Sequence, residues 1–172
     1  MTPGVYRRGG AGLDIRYGFG DSSLGRVLVA WTSRGVCAVY PGPDDAALVQ
    51  ALCAEFPRAT RTAATDAPEV AAVLAAIDGD GAAPALDPQG TAFQHCVWTA
   101  LAAIPRGATR SYTDVARGLG RPRAVRAVAG ACAANNIAVL IPCHRVLRGD
   151  GGLGGYRWGE ERKRRLLARE RA

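Results

Sequence analysis

The segment from Asp78 to Gly90 sets Gly79, Gly81, Pro84, Pro88 and Gly90 among Asp78, Asp80 and Asp87, and no regular element runs through such a stretch. A chain of 172 residues can bury one good core or two small ones, and this stretch is the natural linker between two halves. Charge divides at the same place. Residues 1–90 carry 7 basic and 10 acidic side chains, a balance of −3, whereas residues 91–172 carry 15 and 5, a balance of +10. The boundary is drawn as an α/β domain over 1–84 and a basic domain over 85–172.

A hydrophobic content of 48% with 22% charged residues places the chain among folded globular proteins. It holds no apolar run of about 18 residues. The start, with Arg7, Arg8, Gly9 and Gly10, lacks the apolar core of a signal peptide, so a cytoplasmic location is expected. Cys37, Cys53, Cys96, Cys132 and Cys143 are odd in number and widely spaced, which announces neither a disulfide framework nor a zinc site. With His95 and His144 as the only histidines, no metal is expected.

In the acidic half, Leu13 to Phe19 alternates in polarity, and Arg26–Trp31 and Val36–Tyr40 read as two further strands of a three-stranded antiparallel meander. Asp44 caps a helix with Leu48, Leu52 and Phe56 on one side, ended by Pro57. A second helix is expected over Pro68–Ile77.

In the basic half, Thr91 with Gln94 reads as a capping box for a helix bearing Phe93, Val97, Leu101 and Ile104 on one face. Ser111 to Asp114 repeats that signal and opens a short helix to about Arg117. The turn Gly118-Leu119-Gly120 then leads into a helix over Pro122–Ala134, completing a helix-turn-helix. The cations here are nearly all arginine, the side chain that pairs with phosphate in a fork, so nucleic acid is the first partner to consider. The second helix carries alanines with Arg121, Arg123 and Arg126 as its large polar groups. Such a face suits backbone and shape recognition in a minor groove; alternatively, the alanines favour helix and pack against a neighbour.

The run Ile137–Ile141 reads as a short buried strand that Pro142 ends, with Cys143 at the tip of a rigid element. Cys37, Cys53, Cys96 and Cys132 read as small buried hydrophobes, while Cys143 stands out by its neighbour His144. Adjacent residues on an extended segment point to opposite sides, so a direct thiol–imidazole pair is not expected and a bridging water or a bend is required. Glu170, in a terminal helix with Leu166 and Leu167, is a candidate carboxylate for the imidazole's other nitrogen; a solvated helix-end role is the alternative.

Pro142-Cys143-His144-Arg145-Val146 resembles the active-site signature of the O6-alkylguanine-DNA alkyltransferases (methylated-DNA–protein-cysteine methyltransferases). Phe93-Gln94, Val97-Trp98, Ile104-Pro105, Ser111-Tyr112, Arg126-Ala127-Val128 and Gly155-Tyr156 follow in that family's order. Leu13 to Tyr40, Ala131 to Asn135 and Arg148 to Gly151 look like the C-terminal domain of the bacterial adaptive-response, Ada-type branch.

The resemblance implies an RNase H-like α/β domain followed by a mainly helical, winged-helix-like domain whose helix-turn-helix binds the minor groove of double-stranded DNA. It implies irreversible, single-turnover transfer of an alkyl group from O6-alkylguanine, and from O4-alkylthymine, to Cys143 after base flipping, by a monomer without cofactor or metal. By the same resemblance His144 is a water-mediated base, Glu170 its orienting carboxylate and Asn135 the hinge that braces the active-site turn. Tyr112, Val146, Tyr156 and Arg157 then belong to the substrate pocket. Arg126 fills the vacated stack, Tyr112 crowds the 3′ phosphate, and Arg123, Ala124, Ala127 and Ala129 meet DNA.

Two positions depart from the family's pattern: Asn136 stands where many free-standing relatives have proline, and Arg157 where some have serine. The 172 residues do not include the transcription-factor and phosphotriester-repair modules that precede this domain in full adaptive-response proteins, so direct gene activation is not expected unless a separate partner supplies it. A DNA-binding protein that recognises alkylated bases without reacting is the competing reading, and Cys143 argues against it. A cysteine hydrolase is a third, which a water-bridged histidine and a basic helix fit poorly.

Overall fold

The computed structural model describes residues 9–79 and 81–171. The first eight residues, on which the signal-peptide reading rests, lie outside the described residues, as does Asp80 of the glycine- and proline-rich segment. Two compact units form: one runs to Thr91 and regains Asn136–Leu140, and the other comprises Ala92–Asn135 and the chain from Ile141 onward.

In the first unit, strands β1 (Asp14–Ser22), β2 (Gly25–Thr32) and β3 (Gly35–Gly42) form the expected antiparallel meander. β2 is buried from Val27 to Trp31 and β3 from Val36 to Gly42, so both are apolar on both faces. Helix α1 (Asp45–Glu55) is capped by the Asp44 carboxylate, which accepts from the Ala47 amide at 2.9 Å. A fourth strand, β4 (Thr60–Ala63), pairs in parallel with β1. Its Thr-Arg-Thr-Ala sequence has no buried face and holds its place by backbone pairing with β1 and by the Arg61 guanidinium, which donates to the Phe56 and Ala59 carbonyls, so polarity patterns miss it. Helix α2 (Pro68–Asp78) buries Val70, Val73 and Ile77, and it lies close over β1 because Gly18 and Gly20 present no Cβ to Val70 and Leu74.

Residues 85–91 cluster with this unit rather than with the basic one, as a boundary at 84/85 would have it. Leu86 bridges Val36, the Val36 amide donates to the Ala85 carbonyl at 2.9 Å, and the Thr32 hydroxyl donates to Asp87 at 2.7 Å. The apolar run after Asn135 also differs from expectation. Only Ile137 makes a bridge, to Val39; Val139 then takes a left-handed φ of 68° and the Leu140 amide closes a three-residue turn on Ala138. Ile137, Ala138 and Ile141 are buried and Val139 and Leu140 half-buried, so the run is apolar through burial of a turn rather than as a regular strand. Asn136, at the site of the expected departure, is buried and tied down by side-chain bonds: Tyr40 donates to its Oδ1, and its Nδ2 donates to Glu55, each at 3.0 Å.

In the second unit, α3 (Ala92–Ala102) buries Val97, Trp98 and Leu101. β5 (Arg110–Ser111) leads into α4 (Tyr112–Gly118), where the Ser111–Asp114 capping box is complete, a device contributing about 1 kcal/mol. Gly120 turns the chain at φ 68°, and α5 (Val125–Ala133) follows. It starts three residues later than Pro122 implies, because the Ala124 amide closes a turn on Arg121 before helical bonding begins. The Trp98 indole donates to the Ala131 carbonyl at 2.9 Å and fixes α5 against α3. A 3₁₀ turn (Cys143–Arg145), β6 (Val146–Leu147, parallel to β5) and α6 (Glu160–Arg171) complete the unit.

Candidate active site

Cys143 is placed by two successive tight turns. Its amide donates to the Ile141 carbonyl at 2.8 Å around Pro142, and the Arg145 amide then donates to the Pro142 carbonyl at 3.0 Å. The thiol is 4% exposed and forms part of a cavity of about 210 Å³ lined also by Tyr112, Ala129, Cys132, Ala133, Gly155, Tyr156 and Arg157. Asn135, at the end of α5, donates from one amide nitrogen to the Ile141 carbonyl at 2.9 Å and to Cys143 Sγ at 3.2 Å. It thereby holds both the turn and the sulfur.

Burial raises the pKa of the Cys143 thiol, against the Asn135 hydrogen bond and the charges of Lys163 and Arg157, so the resting group is protonated. His144 is wholly buried and meets Glu170, with Nε2 and Oε1 2.8 Å apart. Burial pushes Glu170 upward, but hydrogen bonds from His144 and Arg145 outweigh it and bring the carboxyl down to about 2. Burial also lowers His144, more than Glu170 raises it. An ionised carboxylate only accepts, so a neutral imidazole must carry its proton on Nε2 and leave Nδ1 as the acceptor. Nδ1 is buried without a hydrogen-bond partner among the described residues, so it does not pair directly with the thiol. The expected separation of thiol and imidazole therefore holds, through a 3₁₀ turn rather than an extended segment.

Tyr112 stands at the start of α4 and Tyr156 on the loop before α6, both lining the cavity. Burial raises both phenols, Tyr112 to about 12, and keeps them protonated donors. The Tyr156 hydroxyl is buried and also lacks a partner among the described residues. Arg157 borders the cavity and donates to the Asn135 carbonyl at 3.4 Å.

Val146, expected in the pocket, lies elsewhere. It is wholly buried in β6, does not line the cavity, and its carbonyl accepts from Lys163 at 2.7 Å. On α5 and the turn before it, Arg123, Arg126, Ala127 and Gly130 are exposed, Ala124 and Ala129 are half-buried, and Val128, Ala131 and Cys132 face inward. Ala129, expected only at a DNA surface, also lines the cavity. Of the cysteines read as buried hydrophobes, Cys96 is exposed and Cys53 half-buried, while Cys132 is a pocket wall.

Several groups escaped the sequence reading. Cys132 and Ala133 follow Ala129 at helical spacing, which would have found them. Arg145 clasps both oxygens of Glu170 at 2.9 Å and donates to the Ile104 carbonyl at 2.6 Å; only its adjacency to His144 hinted at this. Lys163 gave no signal at all.

A family profile described as 6-O-methylguanine DNA methyltransferase, DNA binding domain, matches residues 92–172. The crystal structure of Mycobacterium tuberculosis O6-methylguanine methyltransferase is 33% identical and superposes with a TM-score of 0.72, covering 91% of this chain and 93% of that one. The chain belongs to the O6-methylguanine-DNA methyltransferase family. The Mycobacterium tuberculosis OGT crystallised in complex with DNA gives a TM-score of 0.74 at 34% identity, over 91% of this chain and 92% of that one. In sequence, the Escherichia coli bifunctional transcriptional activator/DNA repair enzyme Ada is 51% identical across 99% of this chain and 49% of its own length. The chain thus spans about half the length of the curated relatives it matches. Its architecture is the alkyltransferase fold, a mixed sheet followed by a helical part. Among the described residues no helix is long and apolar enough to cross a membrane.

Proposed function

We propose that this chain repairs alkylated DNA by direct reversal, moving the alkyl group of O6-alkylguanine, and of O4-alkylthymine, onto its own Cys143. The carrying observation is the placement of Cys143 Sγ in a small cavity, held by Asn135, beside a neutral histidine whose far nitrogen is locked by Glu170.

The target base leaves the duplex and enters the cavity. His144 Nδ1 takes the thiol proton through a bridging water, while Arg145 keeps Glu170 ionised and the imidazole oriented. The thiolate attacks the alkyl carbon; the S–C bond forms as the C–O6 bond breaks, and the electron pair departs with the guanine ring. The Tyr156 and Tyr112 hydroxyls supply hydrogen bonds to the charge developing on the base. Guanine regains at N1 the proton that the thiol gave up. The product is a thioether that water does not hydrolyse, so each molecule acts once and needs no cofactor.

For the DNA-binding part, the exposed row Arg123, Arg126, Ala127 and Gly130 on the α5 side supports a minor-groove face with small residues for close approach and Arg126 to fill the vacated stack. Ala124 and Ala129 border it, and Tyr112 crowds the 3′ phosphate. In this reading α4 and α5 form a helix-turn-helix with β5 and β6 as a winged-helix-like appendage, the first unit is RNase H-like, and the protein works as a cytoplasmic monomer. Titration with a duplex carrying labelled O6-methylguanine tests the mechanism: transfer is expected to stop at one methyl per protein molecule. Repeated turnover would rule out a self-consuming acceptor.

A further inference from the structure

Lys163 is the single lysine in this chain; every other basic side chain among the 22 is arginine. It is also wholly buried, from a position in α6. Its ammonium donates to the carbonyls of Val146 at 2.7 Å, Gly155 at 3.3 Å and Leu153, thereby using all three N–H bonds. Three carbonyls converging on one atom call for a compact ammonium, whereas a guanidinium spreads its donors over three nitrogens. Carbonyls satisfy the hydrogens but do not neutralise the charge, and a buried cation ordinarily has an anion for a partner. No carboxylate bonds to Lys163 in the described structure; Glu160 acts on it only through space. The Gly155 carbonyl that it holds belongs to a wall of the cavity that also contains Cys143 and Cys132. Burial lowers the pKa of the ammonium, and negative charge on either of those two thiols would oppose that shift.

We propose that Lys163 is a positioning residue of the transfer reaction: its fixed ammonium is the countercharge against which the Cys143 thiolate forms. The inference rests on the reading of Cys143 as the alkyl acceptor. When the thiol proton leaves toward His144, the Lys163 ammonium joins the newly formed imidazolium in balancing the charge on sulfur inside the unit. After transfer the sulfur is neutral and the charge has gone with guanine. Other groups facing the thiol are Asn135 and Cys132 from the α5 end, Tyr112 from α4, and Tyr156 and Arg157 from the loop before α6. Of these, only Arg157 is a permanent cation, and it sits at an exposed position.

Carbamidomethylation of Cys143 by iodoacetamide, followed by peptide mass across pH, reads thiolate formation without DNA. In Lys163→Met the midpoint is expected to rise by about one pH unit, equivalent to about tenfold slower reaction on the rising limb. Lys163→Gln, which keeps hydrogen-bond donors but no charge, is expected to shift alike. A wild-type midpoint in either folded variant would overturn the proposal. The wild-type chain offers a test independent of folding defects, because its lone lysine yields a single side-chain ¹⁵N resonance. That resonance should titrate with the Cys143 thiol and lose the step in Cys143→Ser; a resonance indifferent to the thiol would equally overturn the proposal. Failure of methyl transfer from DNA with these shifts intact would instead count against the repair reading.

Discussion

Glu170 is the residue on which the active-site charges converge, since it receives His144 through one oxygen and Arg145 through both. Its folded-state pKa of about 2 lies below an ordinary value of 4.5, so the stabilisation is present above pH 4.5 and is lost as pH falls toward 2. We expect Glu170→Gln to destabilise the protein by about 3 kcal/mol near neutrality, with the gap closing between pH 4.5 and 2. Chemical denaturation at a series of pH values checks this, and a gap that stays constant would mean that the carboxylate's charge is not what matters. Cys143, His144 and the Asn135 stop were legible because motif and helix-end chemistry are local. Arg145 and Lys163 were not, because their partners, Glu170 and the carbonyls of Val146, Leu153 and Gly155, come together only in the folded unit.

At the scale of elements, capping chemistry read α1 and α4 well, since Asp44, Ser111 and Asp114 act within three residues of themselves. It failed where tertiary context decided: β4 is an edge strand without an apolar face, and Ile137–Ile141 is a turn that buries Ile137, Ala138 and Ile141, not a regular strand. Helix α5 divides its labour by face, with Val128 and Ala131 inward, Ala129 and Cys132 on the cavity, and Arg126, Ala127 and Gly130 outward. A Cβ built at Gly130 meets no atom within 4 Å, so a side chain there costs the fold nothing. Gly130→Leu is expected to raise stability by about 0.5–1 kcal/mol through helix propensity while weakening duplex binding by about tenfold. Unchanged binding would remove α5 from the DNA face.

For the molecule as a whole, the positive charge concentrated in residues 91–172, at +10 against −3 for the remainder, lies in the same half of the sequence as Cys143, so the proposed binding and the proposed chemistry share that half. The two tasks remain separable. Arg126 is exposed and does not line the cavity, so Arg126→Ala should slow repair of duplex DNA by about 100-fold or more yet leave reaction with free O6-alkylguanine base nearly unchanged. Equal losses would refute its role in extrusion. The central claim is that Cys143 itself accepts the alkyl group, and peptide mass after incubation with an O6-methylguanine duplex tests it most directly. The mechanism requires one added methylene on the peptide carrying Cys143, at one per molecule, and none in Cys143→Ser; a well-folded protein that leaves Cys143 unmodified, or places the methyl on another cysteine, would contradict it.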